Sequence, residues 1–185
     1  TVDGLDELQQ RGILYVGEED IIIYIFRHEK LRAATYKDLS LARKRLLHGR
    51  AAQAILNRVG HTDKLPASAA LVAYHFQLAG QEVRSAEYYV IAGRYAQSLF
   101  ANHEALDYFE QALALGYPQV DELYQHIGDL HTINGNYPAA IHSYEAGIAH
   151  AHNGYLASLE HALGNVFHRM GEWELAESYF AAALK

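Results

Sequence analysis

Residues 92–112 read AGRYAQSLFANHEALDYFEQA, and the frame of that stretch returns twice downstream. The pairs Ala92-Gly93, Ile127-Gly128 and Leu163-Gly164 place glycines 35 and 36 residues apart. Twelve residues after each glycine stands an alanine: Ala105, Ala140 and Ala176. Four further on comes an aromatic ring, Phe109, Tyr144 or Phe180, and three beyond that a small residue, Ala112, Gly147 or Ala183. Tyr89 and Tyr124 precede two of the glycines by four residues. The phrases Asn134-Gly-Asn136 and Met170-Gly-Glu172 supply turns midway through the last two units. Two antiparallel helices need small residues where their backbones approach, and a large ring then fills the space toward the next pair. No such pair buries its apolar face alone, so a stack is required.

This pattern resembles the tetratricopeptide repeat (TPR), with units one or two residues longer than that family's usual 34. The expected fold class is an all-α, TPR-like solenoid of antiparallel helix pairs. The expected units are 82–117, 118–153 and 154–185, with a degenerate helical pair at 40–81. Within that pair, Ser40 caps a helix running to about Val59. Pro66 sits near the start of another that ends before Gly80.

Working outward, residues 1–39 differ in chemistry. Ile13-Leu-Tyr-Val16 and Ile21-Ile-Ile-Tyr-Ile-Phe26 are β-branched and aromatic and flank the polar turn Gly17-Glu-Glu-Asp20. They predict a hairpin over 13–26, with a short helix before it carrying Leu5 and Leu8, and a helix over Glu29–Leu39 after it. That order is the tail end of a winged helix. The charge also changes along the chain. Residues 1–26 sum to −5, 27–58 to +7 and 59–185 to −9, within a total of −7.

The composition excludes several classes. Half of the 185 residues are hydrophobic and a fifth charged, so disorder is not expected. There is no cysteine, which removes disulfides, thiol catalysis and cysteine-ligated metal. The longest apolar run, Ile21 to Phe26, is too short to span a bilayer. No Gly-Lys pair occurs, so the phosphate-binding loop of P-loop ATPases is absent, as are nucleophile-elbow and dinucleotide motifs. No catalytic residue is assigned and no enzyme activity is expected. The histidines lack a His-Glu-x-x-His pattern: His126 and His131 are five apart, His150 and His152 two, His161 and His168 seven. No metal site is expected, and His75 reads as a satisfied core histidine. The carboxylate pairs Asp121-Glu122 and Glu172 with Glu174 read as solvated helix starts.

A second resemblance rests on Tyr24-Ile-Phe-Arg-His28-Glu29, Leu31-Arg32, Tyr36, Arg43, Arg45 and Leu47-His48. It continues through Ala73-Tyr-His-Phe76, Leu78-Ala-Gly80 and Ala92-Gly93. Over about residues 1–100 the sequence is similar to the region after the ATPase core of bacterial STAND-type signalling ATPases and transcriptional regulators. That resemblance implies a cytoplasmic fragment of a larger protein whose parent binds ATP or ADP, with His28 near that nucleotide. The fragment itself carries no cofactor. Read without the resemblance, His28 is a partly buried residue joining hairpin to helix. The opening on Thr1 inside a helical phrase agrees with a piece of a longer chain.

The expected function is protein interaction or effector sensing through the concave face lined by the first helix of each pair. Its candidate residues are Arg94 and Gln97, then Glu122, Gln125, Asp129 and Thr132, then His161, Asn165 and His168. The partner is a protein or peptide segment of basic or hydrogen-bonding character. Asp129 and Gln125 stand where a carboxylate clamp would place Asn and Lys. Two alternatives stay open: a scaffold without any nucleotide link, and phosphate or nucleic-acid contact through 27–58. The array ends at Lys185 without a polar capping helix, which predicts either continuation or dimerisation through the last face.

Overall fold

The computed structural model describes residues 2–17, 24–60, 62–151 and 155–184. The chain divides into two compact units, Thr1–Leu46 and Leu47–Lys185.

In the first unit, helix α1 (Val2–Gln10) is followed by β1 (Leu14–Val16), β2 (Tyr24–Phe26) and α2 (Glu29–Asp38). The strands pair antiparallel with Leu14 opposite Phe26 and Val16 opposite Tyr24. Arg27 N–H extends the ladder by donating to Ile13 O at 2.9 Å. Leu14 is the buried anchor of this unit. The paired ends agree with the predicted hairpin, but Glu18–Asp20 of its turn and Ile21–Ile23 lie outside the described residues. Leu39 is extended and stops α2. Ser40 Oγ then accepts the Arg43 N–H at 3.4 Å, the expected cap of α3 (Leu41–Val59).

The second unit continues with α4 (Leu65–Leu78), α5 (Glu82–Ser98), α6 (Asn102–Ala114), α7 (Val120–Ile133), α8 (Tyr137–His150), α9 (Leu156–Met170) and α10 (Trp173–Ala183). Consecutive helices pack from α4 to α10. The repeat frame is visible in atomic detail. A Cβ on Gly93 would stand 2.6 Å from the Phe109 ring, on Gly128 2.5 Å from Tyr144, and on Gly164 2.5 Å from Phe180. Each glycine thus lets the second helix press its ring against the backbone of the first. Gly135 and Gly171 end α7 and α9 in the left-handed conformation, at φ 73° and 83°. At the equivalent turn after α5 the left-handed residue is Phe100, at φ 59° and 88% exposed.

The largest core cluster runs through α4 to α7 and includes Tyr89, Phe109, Leu123, Ile127 and Leu130. A second joins α8 and α9 through Tyr144, Leu159, Leu163 and Val166. A third packs Ala52 of α3 on Val72 and Phe76 of α4. Beside it, His48 Nδ1 and His75 Nδ1 lie 2.8 Å apart, so one donates and the other accepts. His75 is therefore hydrogen-bonded where α3 meets α4.

Burial lowers the pKa of His48, of His75 (with the neighbouring His48 adding to it) and of His126. An imidazole whose folded pKa lies below its ordinary value of 6.5 must give up a proton, or stay without one, to fold. Its stability contribution is therefore present above about pH 6.5 and is lost as the pH falls toward the folded value. Protonating both His48 and His75 also sets two donors against each other across 2.8 Å. We expect the melting temperature to fall between pH 7.5 and 5.5 in thermal scans. The fall should shrink when His48 and His75 are both replaced by Gln. An unchanged midpoint in the parent chain would contradict this account.

Candidate functional site

The nine candidate residues of the repeat face sit on α5, α7 and α9 as expected, but the structure sorts them into three environments. One set is used in joining helices to each other. Arg94 of α5 forms an ion pair with Glu122 of α7, whose side chain is only 11% exposed. His126 Nε2 approaches the same carboxylate at 3.6 Å, and its ring lies flat on Phe109 with centroids 4.8 Å apart. Gln125 Nε2 donates to Ser158 Oγ at 2.8 Å, tying α7 to α9. The sequence reading has Glu122 and Asp121 as solvated acids at a helix start. Both are buried, and Asp121 accepts the Glu122 N–H. The reason is the stacking itself: the first turn of α7 is covered by its neighbours.

A second set opens to solvent together. Gln97 of α5, Asp129 and Thr132 of α7 and Asn165 of α9 line one cleft of about 490 Å³. Tyr144 forms part of its wall and Arg169 another part. The Tyr144 hydroxyl donates to Asp129 Oδ1 at 2.7 Å. Thr132 Oγ1 lies 2.8 Å from Gly128 O and 3.3 Å from the same hydroxyl. These contacts orient the Asp129 carboxylate from a buried ring held by Gly128. Burial raises the pKa of Asp129 above the usual carboxylate value, against the Tyr144 hydrogen bond, which lowers it. Burial also pushes the Tyr144 phenol well up. A carboxylate partly withdrawn from water, with no cation in ion-pair range among the described residues, favours a cationic or hydrogen-bond-donating visitor.

The third set lies apart. His161 packs against Phe180 and contacts Asn165 through Nδ1 at 3.2 Å. It lines a mostly apolar cavity of about 600 Å³ with Ala157, Phe180 and Leu184. His168 meets the Trp173 ring edge-on with centroids 4.7 Å apart. Neither histidine lines the cleft.

Sequence reasoning missed Tyr144 and Arg169. Tyr144 reads as a packing ring, which it also is, and its hydroxyl is what holds Asp129. Arg169 stands four residues after Asn165 and so on the same stripe of α9, a signal that was present.

His28, the residue implied to lie near nucleotide, is exposed and occupies the N-cap position of α2. Its carbonyl accepts from Leu31 N–H and Arg32 N–H. It is not partly buried as the local reading held, because the strand end that precedes it leaves its side chain outside. Arg43, Arg45, Arg50 and Arg58 of the basic segment are exposed and form no ion pair among the described residues. Of that segment, Arg32 pairs with Glu29, and Lys44 lies over the Tyr36 ring at 4.9 Å. Among the described residues no group of three or more His, Asp or Glu is placed to hold a metal, while His152 lies outside them. Among them too, no helix is long and apolar enough to cross a membrane.

No curated protein matches the sequence significantly. A crystal structure of MamA is 20% identical, with a TM-score of 0.51, covering 88% of this chain and 95% of that one. A crystal structure of a putative kinesin light chain with nearly identical TPR-like repeats, from Podosopora anserina, is 15% identical. Its TM-score is 0.44, and the match covers 83% of this chain and 90% of that one. The family model described as Tetratricopeptide repeat matches residues 158–185, the segment of α9 and α10. That segment is similar to a tetratricopeptide repeat, and the mostly helical second unit stacks consecutive helices in the manner of TPR-like proteins, while the first unit carries a small two-stranded antiparallel sheet.

Proposed function

We propose that this chain is a non-catalytic interaction module that captures a protein or peptide segment on the α5, α7 and α9 face. The carrying observation is the cleft that gathers Gln97, Asp129, Thr132 and Asn165 from three successive helix pairs. Residues far apart in sequence converge there and line the cleft with polar side chains, while their neighbours Arg94, Glu122 and Gln125 join the helices to each other. The cleft's lining residues are mostly polar, where small-molecule pockets are lined chiefly by apolar side chains, and that suits a side chain or short peptide segment.

The larger setting belongs to the same proposal. The order helix, paired strands and helix, followed by stacked pairs, fits the winged-helix tail and repeat region of a STAND-type signalling ATPase in the cytoplasm. Docking on the repeats would there bias the ATPase between resting and active states. His28, exposed at the start of α2, is available to such a neighbour. Self-association through the last helix pair is a further part of this reading, since Leu184 is 89% exposed.

The test is selection of displayed random peptides on the purified chain. Binding of the selected peptides should weaken at least tenfold in Asn165→Ala and Thr132→Val. It should be unaffected by Glu145→Gln on the exposed side of α8. Equal binding to all three variants would remove the face from consideration.

A further inference from the structure

The cleft on α5, α7 and α9 contains two opposite charges that do not satisfy each other. Asp129 is fixed through Oδ1 by the buried Tyr144 hydroxyl, itself in contact with Thr132. Arg169, in the last turn of α9, lines the same cleft, is exposed, and forms no ion pair among the described residues. His126 of α7, whose charge acts on Asp129, is shifted toward its neutral form by burial and so supplies little positive charge near neutral pH. Glu122 does not enter the balance at the cleft, because Arg94 holds it. What remains among the described residues is a carboxylate held by Tyr144 through one oxygen and a guanidinium on another wall that is in no ion pair. Ile133 adds an exposed apolar surface to the cleft.

We propose that this cleft is a dipolar recognition subsite that seats an arginine or lysine side chain of the bound segment on Asp129. An acidic group next to that residue is taken by Arg169. The inference rests on the proposed interaction function and names the chemistry of its partner. The preference for a cation follows from the partial desolvation of Asp129, since a carboxylate in that position gains more from a paired cation than one in open water. A guanidinium matches it best, because its planar fork can meet Oδ2 and still donate to Asn165 Oδ1. The bonded Tyr144 keeps the carboxylate from turning away, so ordering it on binding costs little. A purely acidic segment meets Asp129 as a like charge, and a purely basic one meets Arg169, so the site discriminates against both.

The experiment uses the whole chain and blocked tetrapeptides, read by amide chemical shifts. Ac-Ala-Arg-Glu-Ala-NH2 should shift the resonances of Asp129, Thr132 and Asn165 at millimolar concentration. Its citrulline analogue, which keeps the shape of arginine and lacks the charge, should bind at least fivefold more weakly. Asp129→Asn keeps an acceptor for the Tyr144 hydroxyl and should erase the difference between the two probes. Arg169→Gln should instead erase the difference between Ac-Ala-Arg-Glu-Ala-NH2 and Ac-Ala-Arg-Gln-Ala-NH2. Equal affinity for arginine and citrulline probes, or shifts confined to other faces, would overturn the subsite. The two readings fail separately. Selected peptides that bind the cleft without a basic residue remove the subsite and leave the interaction function. Seating of the arginine probe with no selectable peptide does the reverse.

Discussion

Gly128→Val should cost the repeat unit about 3 kcal/mol or more, at the upper end of what overpacking a core does. The first added carbon alone would lie 2.5 Å from one Tyr144 ring carbon and within 2.8 Å of two others. A surface side chain would swing away. Tyr144 has no such freedom, being 2% exposed with its hydroxyl tied to Asp129. The backbone of α7 or α8 must therefore shift, and α7 also carries Asp129 and Thr132. The variant should lose stability in urea or thermal melts and lose peptide binding with it. Tyr144→Ala in the same chain opens the space that the valine needs. The double variant should be more stable than the sum of the two single losses predicts. A single variant within about 0.5 kcal/mol of the parent, the range of an ordinary surface change, would show that the glycine spacing does not mark a helix contact.

The same contact explains why so much of the fold is legible in the sequence. Glycine at 93, 128 and 164 and a ring sixteen residues later are not helix-favouring choices in themselves. Their recurrence signals two backbones held close, and the structure places every one of these rings against its glycine. The turns at Gly135 and Gly171 are equally legible, because left-handed backbone selects glycine. The turn after α5 is not, since Phe100 takes that conformation without the residue that advertises it. The site was readable only by helix face. Periodicity assigns Glu122 and Asp129 alike to the inner stripe of α7. It carries no information on which of them meets a neighbour. That depends on Arg94, 28 residues away, reaching Glu122, and on a tyrosine from α8 reaching Asp129. Such long-range pairings are products of stacking, and no local pattern encodes them.

Stacking also sets the second large effect. Phe109→Ala should cost about 3–5 kcal/mol, the range for removing a fully buried aromatic ring. Phe109 is completely buried, lies against Gly93 and carries the flat-stacked His126. It therefore touches the helix before it and the helix after it, at the centre of the cluster that runs from α4 to α7. Phe180 holds the same place in the repeat, yet it is only partly buried, because no described helix covers α10 from the far side. Phe180→Ala should cost less than half as much. In a chain of stacked pairs stability is close to a sum of pair and neighbour terms. Loss of Phe109 removes the neighbour term between α6 and α7 as well as packing within its own pair. Urea unfolding of Phe109→Ala should accordingly broaden or split, with the helices before the break and those after it melting separately. Phe180→Ala should keep one transition at a slightly lower midpoint. Equal losses for the two variants would mean that the solenoid behaves as one undivided core.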